Sequence, residues 1–141
     1  MNQLSGGRRH FTDLDVWRRS HTLFLDVFKD FENTGTRSRL ASEIVARQVL
    51  RSASSIGANI AEGFASSSTK EYIRFLEIAR HSCAETENWY YKARDASLCT
   101  AETSRERIKD CLDAHKMLNA LITSLRKRKK RAMGEKSAKA E

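Results

Sequence analysis

Proline occurs nowhere in the 141 residues, although average usage of about 5% would place roughly seven. Proline breaks helix interiors and marks ordered turns, so its complete absence favours a chain that is helical almost throughout. The apolar residues carry the matching period. Val16, Trp17, Phe24, Val27, Phe28 and Phe31 recur three and four apart, which draws one apolar face on a helix over about residues 13–32. Thr12 is expected to cap it, with Asp15 three residues on, and Phe11 and Val16 are placed as a hydrophobic staple.

Three further helices follow. After the break Asn33-Thr34-Gly35-Thr36, the second runs from about Ser38 to Phe64, with Leu40, Ile44, Val45, Val49, Ile56 and Ile60 on its apolar side. Ser68 and Glu71 form a capping box for the third, about Thr69–Ser97. Its buried side reads Tyr72, Phe75, Leu76, Ala79, Cys83, Thr86, Trp89, Tyr90 and Ala93. Thr103 and Glu106 are expected to cap the fourth, which carries Ile108, Cys111, Leu112, His115, Leu118, Leu121, Ile122 and Leu125. It is expected to run into the following basic residues before Gly134 ends it. The expected fold is an all-α, antiparallel up-down-up-down four-helix bundle.

The formal charge of +8 is unevenly placed. Residues 10–125 hold 16 Lys/Arg and 16 Asp/Glu, Arg8 and Arg9 add two, and residues 126–141 hold eight bases against two acids. The domain reading is therefore a basic leader over 1–10, a bundle over 11–125 and a basic tail over 126–141. No apolar run reaches the ~18 residues of a membrane span, and no signal-peptide core opens the chain. Cys83, Cys99 and Cys111 are odd in number and far apart, with no CxxC pair. Neither a disulfide framework nor a zinc ribbon is indicated, and three free thiols fit a cytoplasmic location.

The middle of the second helix is built of small residues, Ser52-Ala53-Ser54-Ser55-Ile56-Gly57-Ala58. They either admit a close neighbouring backbone or weaken the helix. The stretch Gln48 to Gly63, ending Asn59-Ile60-Ala61-Glu62-Gly63, resembles the signature of a bacterial four-helix bundle family. The family includes proteins encoded in intervening sequences of large-subunit ribosomal RNA genes. Phe11-Thr12-Asp13-Leu14-Asp15-Val16-Trp17 and Glu71 to Ser82 resemble its flanks, and Glu85 and Glu87 fall where its acidic pair lies. The same fold is used by the accessory variability determinant (Avd) of diversity-generating retroelements. That relative is a basic homopentamer that binds nucleic acid and a reverse transcriptase. The resemblance implies a homo-oligomer, by this analogy a pentamer, and an accessory role beside a reverse transcriptase. The alternative it implies is an intervening-sequence-encoded scaffold that binds a protein partner.

Arg126, Lys127, Arg128, Lys129, Lys130 and Arg131 are six consecutive bases. Such a run attracts the phosphates of RNA or DNA by counterion release, or simply solvates the terminus. With Arg8, Arg9 and Arg51 they form the candidate nucleic-acid-binding set, although Arg51 equally suits packing beside the small residues. Arg47, one turn after Glu43, has the spacing of an ordinary surface ion pair. Gln48, Asn59, Glu62 and Gly63 are assigned structural roles within the signature. Asn59 is a poor mid-helix residue that a hydrogen-bond network between helices or subunits would explain. Tyr91 falls off the apolar face that holds Trp89 and Tyr90, and the three suit a core and subunit interface. Cys111 and His115 share a face, but His81 and Cys83 diverge, so no metal site is expected. No nucleophile elbow, Walker motif or GxGxxG is present. The chain is expected to be neither an enzyme nor a cofactor carrier, nor a membrane protein.

Overall fold

The computed structural model describes residues 10–32 and 39–140. Four helices are formed: α1 Asp15–Phe31, α2 Arg39–Ala65, α3 Thr69–Asp95 and α4 Ala101–Ala140. A single 3-10 turn, Phe11–Asp13, precedes α1. There is no strand among the described residues. Each helix packs against two others: α1 against α2 and α4, α3 against α2 and α4.

Cross-helix pairs show the directions. Between α3 and α4, Arg126 meets Glu77, Arg80 meets Asn119, and Ser104 donates to the Tyr90 carbonyl. Between α1 and α4, Arg19 meets Asp113 and Arg107 meets Asp30. In both sets one number rises as the other falls, so these neighbours run antiparallel. The helix pairing is that of the four-helix bundle the sequence predicts, and a short connection at residues 96–100 reverses α3 into α4.

The core is made of Leu23, Val27, Val49, Ile56, Ile60, Leu76, Tyr90, Leu118 and Ile122, all almost fully buried. Not every apolar residue joins it. Leu25, Phe28, Leu40 and Ile44 are between 46% and 69% exposed, although Phe28, Leu40 and Ile44 were expected inside. Leu23 and the small Ser20 take the inner positions of α1 instead. Periodicity locates an apolar stripe but not which edge of it the neighbouring helices cover.

The caps differ from expectation at two of the three sites named. Thr12 does not cap α1. His10 does so for the preceding 3-10 turn, its Nδ1 accepting from the Thr12 N–H while Asp13 accepts from the His10 N–H. Leu14 occupies the α1 cap position without a side-chain bond. Ser68 caps α3, accepting from the Glu71 N–H at 3.1 Å. α4 starts earlier than expected, because Thr100 accepts from the Thr103 N–H at 3.0 Å. Two hydroxyl residues three apart present the same motif, and the earlier one serves.

α3 stops at Asp95. Ser97 takes a positive φ of 59°, and the Ser97 and Leu98 N–H groups return to the Arg94 and Ala93 carbonyls. This is the Schellman arrangement with serine where glycine is usual. Conversely, Gly134 does not end α4. It sits inside the helix with nothing within 4 Å of where a Cβ would be. An exposed glycine costs a helix only about 1 kcal/mol. Ala132, Met133, Glu135 and Lys136 around it are good helix formers.

Candidate nucleic-acid interface

The small residues of α2 lie against a complementary set on α3. Thr86 donates to Ser52 at 2.9 Å, and Ser82 and Ser55 pair at 3.0 Å. Asn59 donates to the Ser55 carbonyl and hydroxyl at 2.8 and 3.0 Å, so its amide is tied through Ser55 to α3. Farther along α2, a Cβ on Gly63 would lie 2.8 Å from the Tyr72 ring and 2.9 Å from the Phe75 Cβ. Gly63 is buried, and its missing side chain lets α2 and α3 close at this end. Gly57 faces α1 instead, with Ser20 Oγ 3.2 Å from its hypothetical Cβ. The small-residue stretch is thus a close-approach surface, not a weak point. Gln48 is half-buried and Glu62 exposed.

A second polar cluster joins three helices. Arg107 of α4 binds Asp30 of α1 at 2.8 Å and Asp110 at 3.2 Å, and the Tyr90 hydroxyl of α3 donates to Asp30 at 2.7 Å. The Arg107 and Asp30 side chains are 16% and 9% exposed. Burial opposes the Arg107 charge, but the hydrogen bond and charge of Asp30, with Asp26 and Asp110, outweigh it and raise the pKa. Burial, then the bond to Asp30, raises the Tyr90 phenol. This cluster escaped the sequence reading. Asp26 and Asp30 share a face of α1, but nothing in the sequence says which face of α4 meets it.

The thiols are free. Burial, with Glu87 second, pushes Cys83 up to about 12, and burial raises Cys111 as well. A buried thiol held protonated is a poor nucleophile. Among the described residues, no group of three or more His, Cys, Asp or Glu is placed to share a metal ion. His81 is exposed while Cys83 is buried, so the two diverge as the spacing predicts. In the aromatic run, Tyr90 is buried, Trp89 half-buried and Tyr91 exposed, with the Arg94 guanidinium 5.2 Å from the Tyr91 ring centroid. No helix of the described residues is long and apolar enough to cross a membrane.

The basic residues are placed by α4, whose last buried side chain is Leu125. Residues 126–140 continue the helix for about 22 Å at 1.5 Å per residue. They carry eight bases and one acid, Glu135. The helical rotation divides the six consecutive bases. Arg126 turns to α3 and pairs with Glu77. Arg128 and Lys129 line a cleft with the α2–α3 turn, joined one and two turns later by Ala132, Met133 and Lys136. Lys127, Lys130 and Arg131 are exposed and do not line it. Arg51 is exposed on α2, and Arg8 and Arg9 lie outside the described residues. The structure therefore brings Arg128 and Lys129 of the candidate set into one cleft with Lys136, and does not bring Arg126, Lys127, Lys130, Arg131 or Arg51 into it. Lys136 and the turn residues were not in the candidate set, because only helix continuation past Gly134 brings them together.

A four-helix bundle with a buried hydroxyl seam and a basic helical overhang is the class of protein this geometry defines. The chain belongs to the 23S rRNA-intervening sequence protein family, whose model matches residues 12–120. A solved structure from Bacteroides thetaiotaomicron VPI-5482, a protein of unknown function from the S23 ribosomal protein family, is similar to it. Identity is 25% and the TM-score 0.66, with 76% of this chain and 97% of that one covered. No curated protein matches the chain. The family match ends before the basic run begins.

Proposed function

We propose that this protein is a non-enzymatic nucleic-acid-binding bundle whose basic α4 overhang contacts the phosphates of RNA or DNA. The observation that carries the reading is the overhang itself: eight bases and one acid on one exposed helix, attached to a bundle of balanced charge. A helix holds its cations at fixed spacing, so less ordering entropy is lost on binding than from a flexible tail. The reading extends to a homopentamer acting beside a reverse transcriptase of a retroelement, and that extension rests on the family resemblance of the Gln48–Gly63 stretch and its flanks.

A salt titration tests the binding. Single-stranded RNA should bind with log K falling by about 0.7 per neutralised phosphate per decade of salt. Absence of binding even at low salt would remove the reading. Reconstituted cDNA synthesis that is unchanged by omitting the protein would remove the accessory role, and sedimentation gives the subunit number.

A second reading has its own observation. Leu25, Phe28, Leu40 and Ile44 are exposed on the halves of α1 and α2 nearest the 33–38 connection. Large exposed apolar side chains favour a protein partner or a second copy over them. Partner capture that Phe28→Asp abolishes, with no RNA binding by the unaltered protein even at low salt, would favour this scaffold role.

A further inference from the structure

The cleft between the overhang and the α2–α3 turn is both basic and hydroxyl-bearing. Its volume is 560 Å³, and its lining includes Arg128, Lys129 and Lys136 without a single carboxylate. The opposite wall brings the hydroxyl residues Ser67 and Thr69. Phe64 and Tyr72, also in its lining, meet edge to face with ring centroids 6.3 Å apart. By contrast, the depression between α1 and α4 sets Asp15, Asp26 and Asp110 against Arg18 and Arg19, so carboxylates outnumber cations there. Three cations lining one concave, hydroxyl-bearing cleft suit a series of anionic groups, and the aromatic rings in the same lining suit a base or sugar. Arg128 and Lys136 are eight residues apart, about 12 Å along the helix, so they reach separate anionic groups.

We propose that this cleft seats the phosphates of a nucleic-acid strand, with Arg128, Lys129 and Lys136 on the phosphate oxygens and Tyr72 against the adjoining nucleoside. This rests on the nucleic-acid reading above and makes it local: the inner face of the overhang binds, and the outer face only raises the surrounding potential. The phosphate is either an internal phosphodiester or a terminal monophosphate, and the chemistry is shared.

The test compares two full-length variants that lose the same charge, Lys129→Gln with Lys136→Gln inside the cleft and Lys127→Gln with Lys130→Gln outside it. Affinity for a labelled oligouridylate is read by anisotropy at about 0.1 M salt. The cleft pair should bind roughly tenfold more weakly than the outer pair, as expected when specific charge-assisted bonds are lost. Equal weakening, with the unaltered protein binding normally, would overturn the cleft while leaving the nucleic-acid reading standing. No binding by the unaltered protein would remove both. Oligonucleotides with and without a 5′-phosphate separate the sources: equal affinity assigns internal phosphodiesters, tighter binding of the phosphorylated strand assigns the terminal group. Met133 lines the cleft and Met117 does not, so the Met133 methyl resonance should move on titration while that of Met117 holds. The reverse pattern would overturn the proposal.

Discussion

Gly63 and Asp30 are two positions at which one atom decides the packing. A methyl group at position 63 would press on the Tyr72 ring and on the Phe75 Cβ, which is part of a helix wall and cannot swing away. Gly63→Ala gains up to about 1 kcal/mol of helix propensity. Overpacking costs about 1–3 kcal/mol, so the variant should unfold at lower urea than the parent. Asp30 holds both the Arg107 guanidinium and the Tyr90 hydroxyl. Asp30→Asn leaves Arg107 partly buried without its main counter-charge and should cost about 3 kcal/mol, read in the same urea titration. The sequence flags Gly63, as the last residue of the Gln48–Gly63 signature stretch. Asp30 carries no comparable mark, because its importance comes from two partners on other helices.

At the scale of elements, helix positions were legible because amphipathic periodicity and the lack of proline agree over most of the chain. Ends were less legible. Thr100 and Thr103 offer the same cap, and the choice between them depends on where α4 first finds α3, as at Ser104 and the Tyr90 carbonyl. The basic run was visible at once, but its division between α3, cleft and solvent depends on which neighbours each turn of α4 meets, and Lys136 joins the cleft only because the helix passes Gly134. The overhang lies beyond Leu125, the last buried residue. Deleting residues 126–141 removes the Arg126–Glu77 ion pair and little else from the bundle. A surface ion pair contributes about 0–1 kcal/mol, so the thermal midpoint should move little. The salt slope of RNA binding should shrink, and an unchanged slope would place the contact surface on the bundle itself.

For the whole molecule, the buried hydroxyl-bearing and thiol side chains set an alkaline limit. Burial, followed by the charge of Glu87, raises Cys83 from 9.0 to about 12, and burial raises Cys111 and Tyr90 above their ordinary values of 9.0 and 10.0. The folded chain keeps these protons where the unfolded chain releases them. Stability is therefore fully present below about pH 9 and falls as pH rises through the thiol and phenol range. Each such group contributes up to about 1.4 kcal/mol of loss per pH unit. Urea midpoints measured at about pH 8 and pH 10 should show the decline, and a flat profile would mean the thiols and phenol reach water without unfolding. The same buried groups hold the fold together, while the chemistry open to a partner lies at the surface.

The overhang also responds to salt in two opposed ways. Arg126 and Lys130, Lys127 and Arg131, and Arg128 and Arg131 stand three or four residues apart as like charges, a spacing that loosens a helix by a few tenths of a kcal/mol per pair. Added salt screens that repulsion and firms the free helix, yet it weakens the hold on phosphate. A bound strand supplies the same relief of repulsion in a dilute medium. Ellipticity and affinity would then separate along one ionic-strength series.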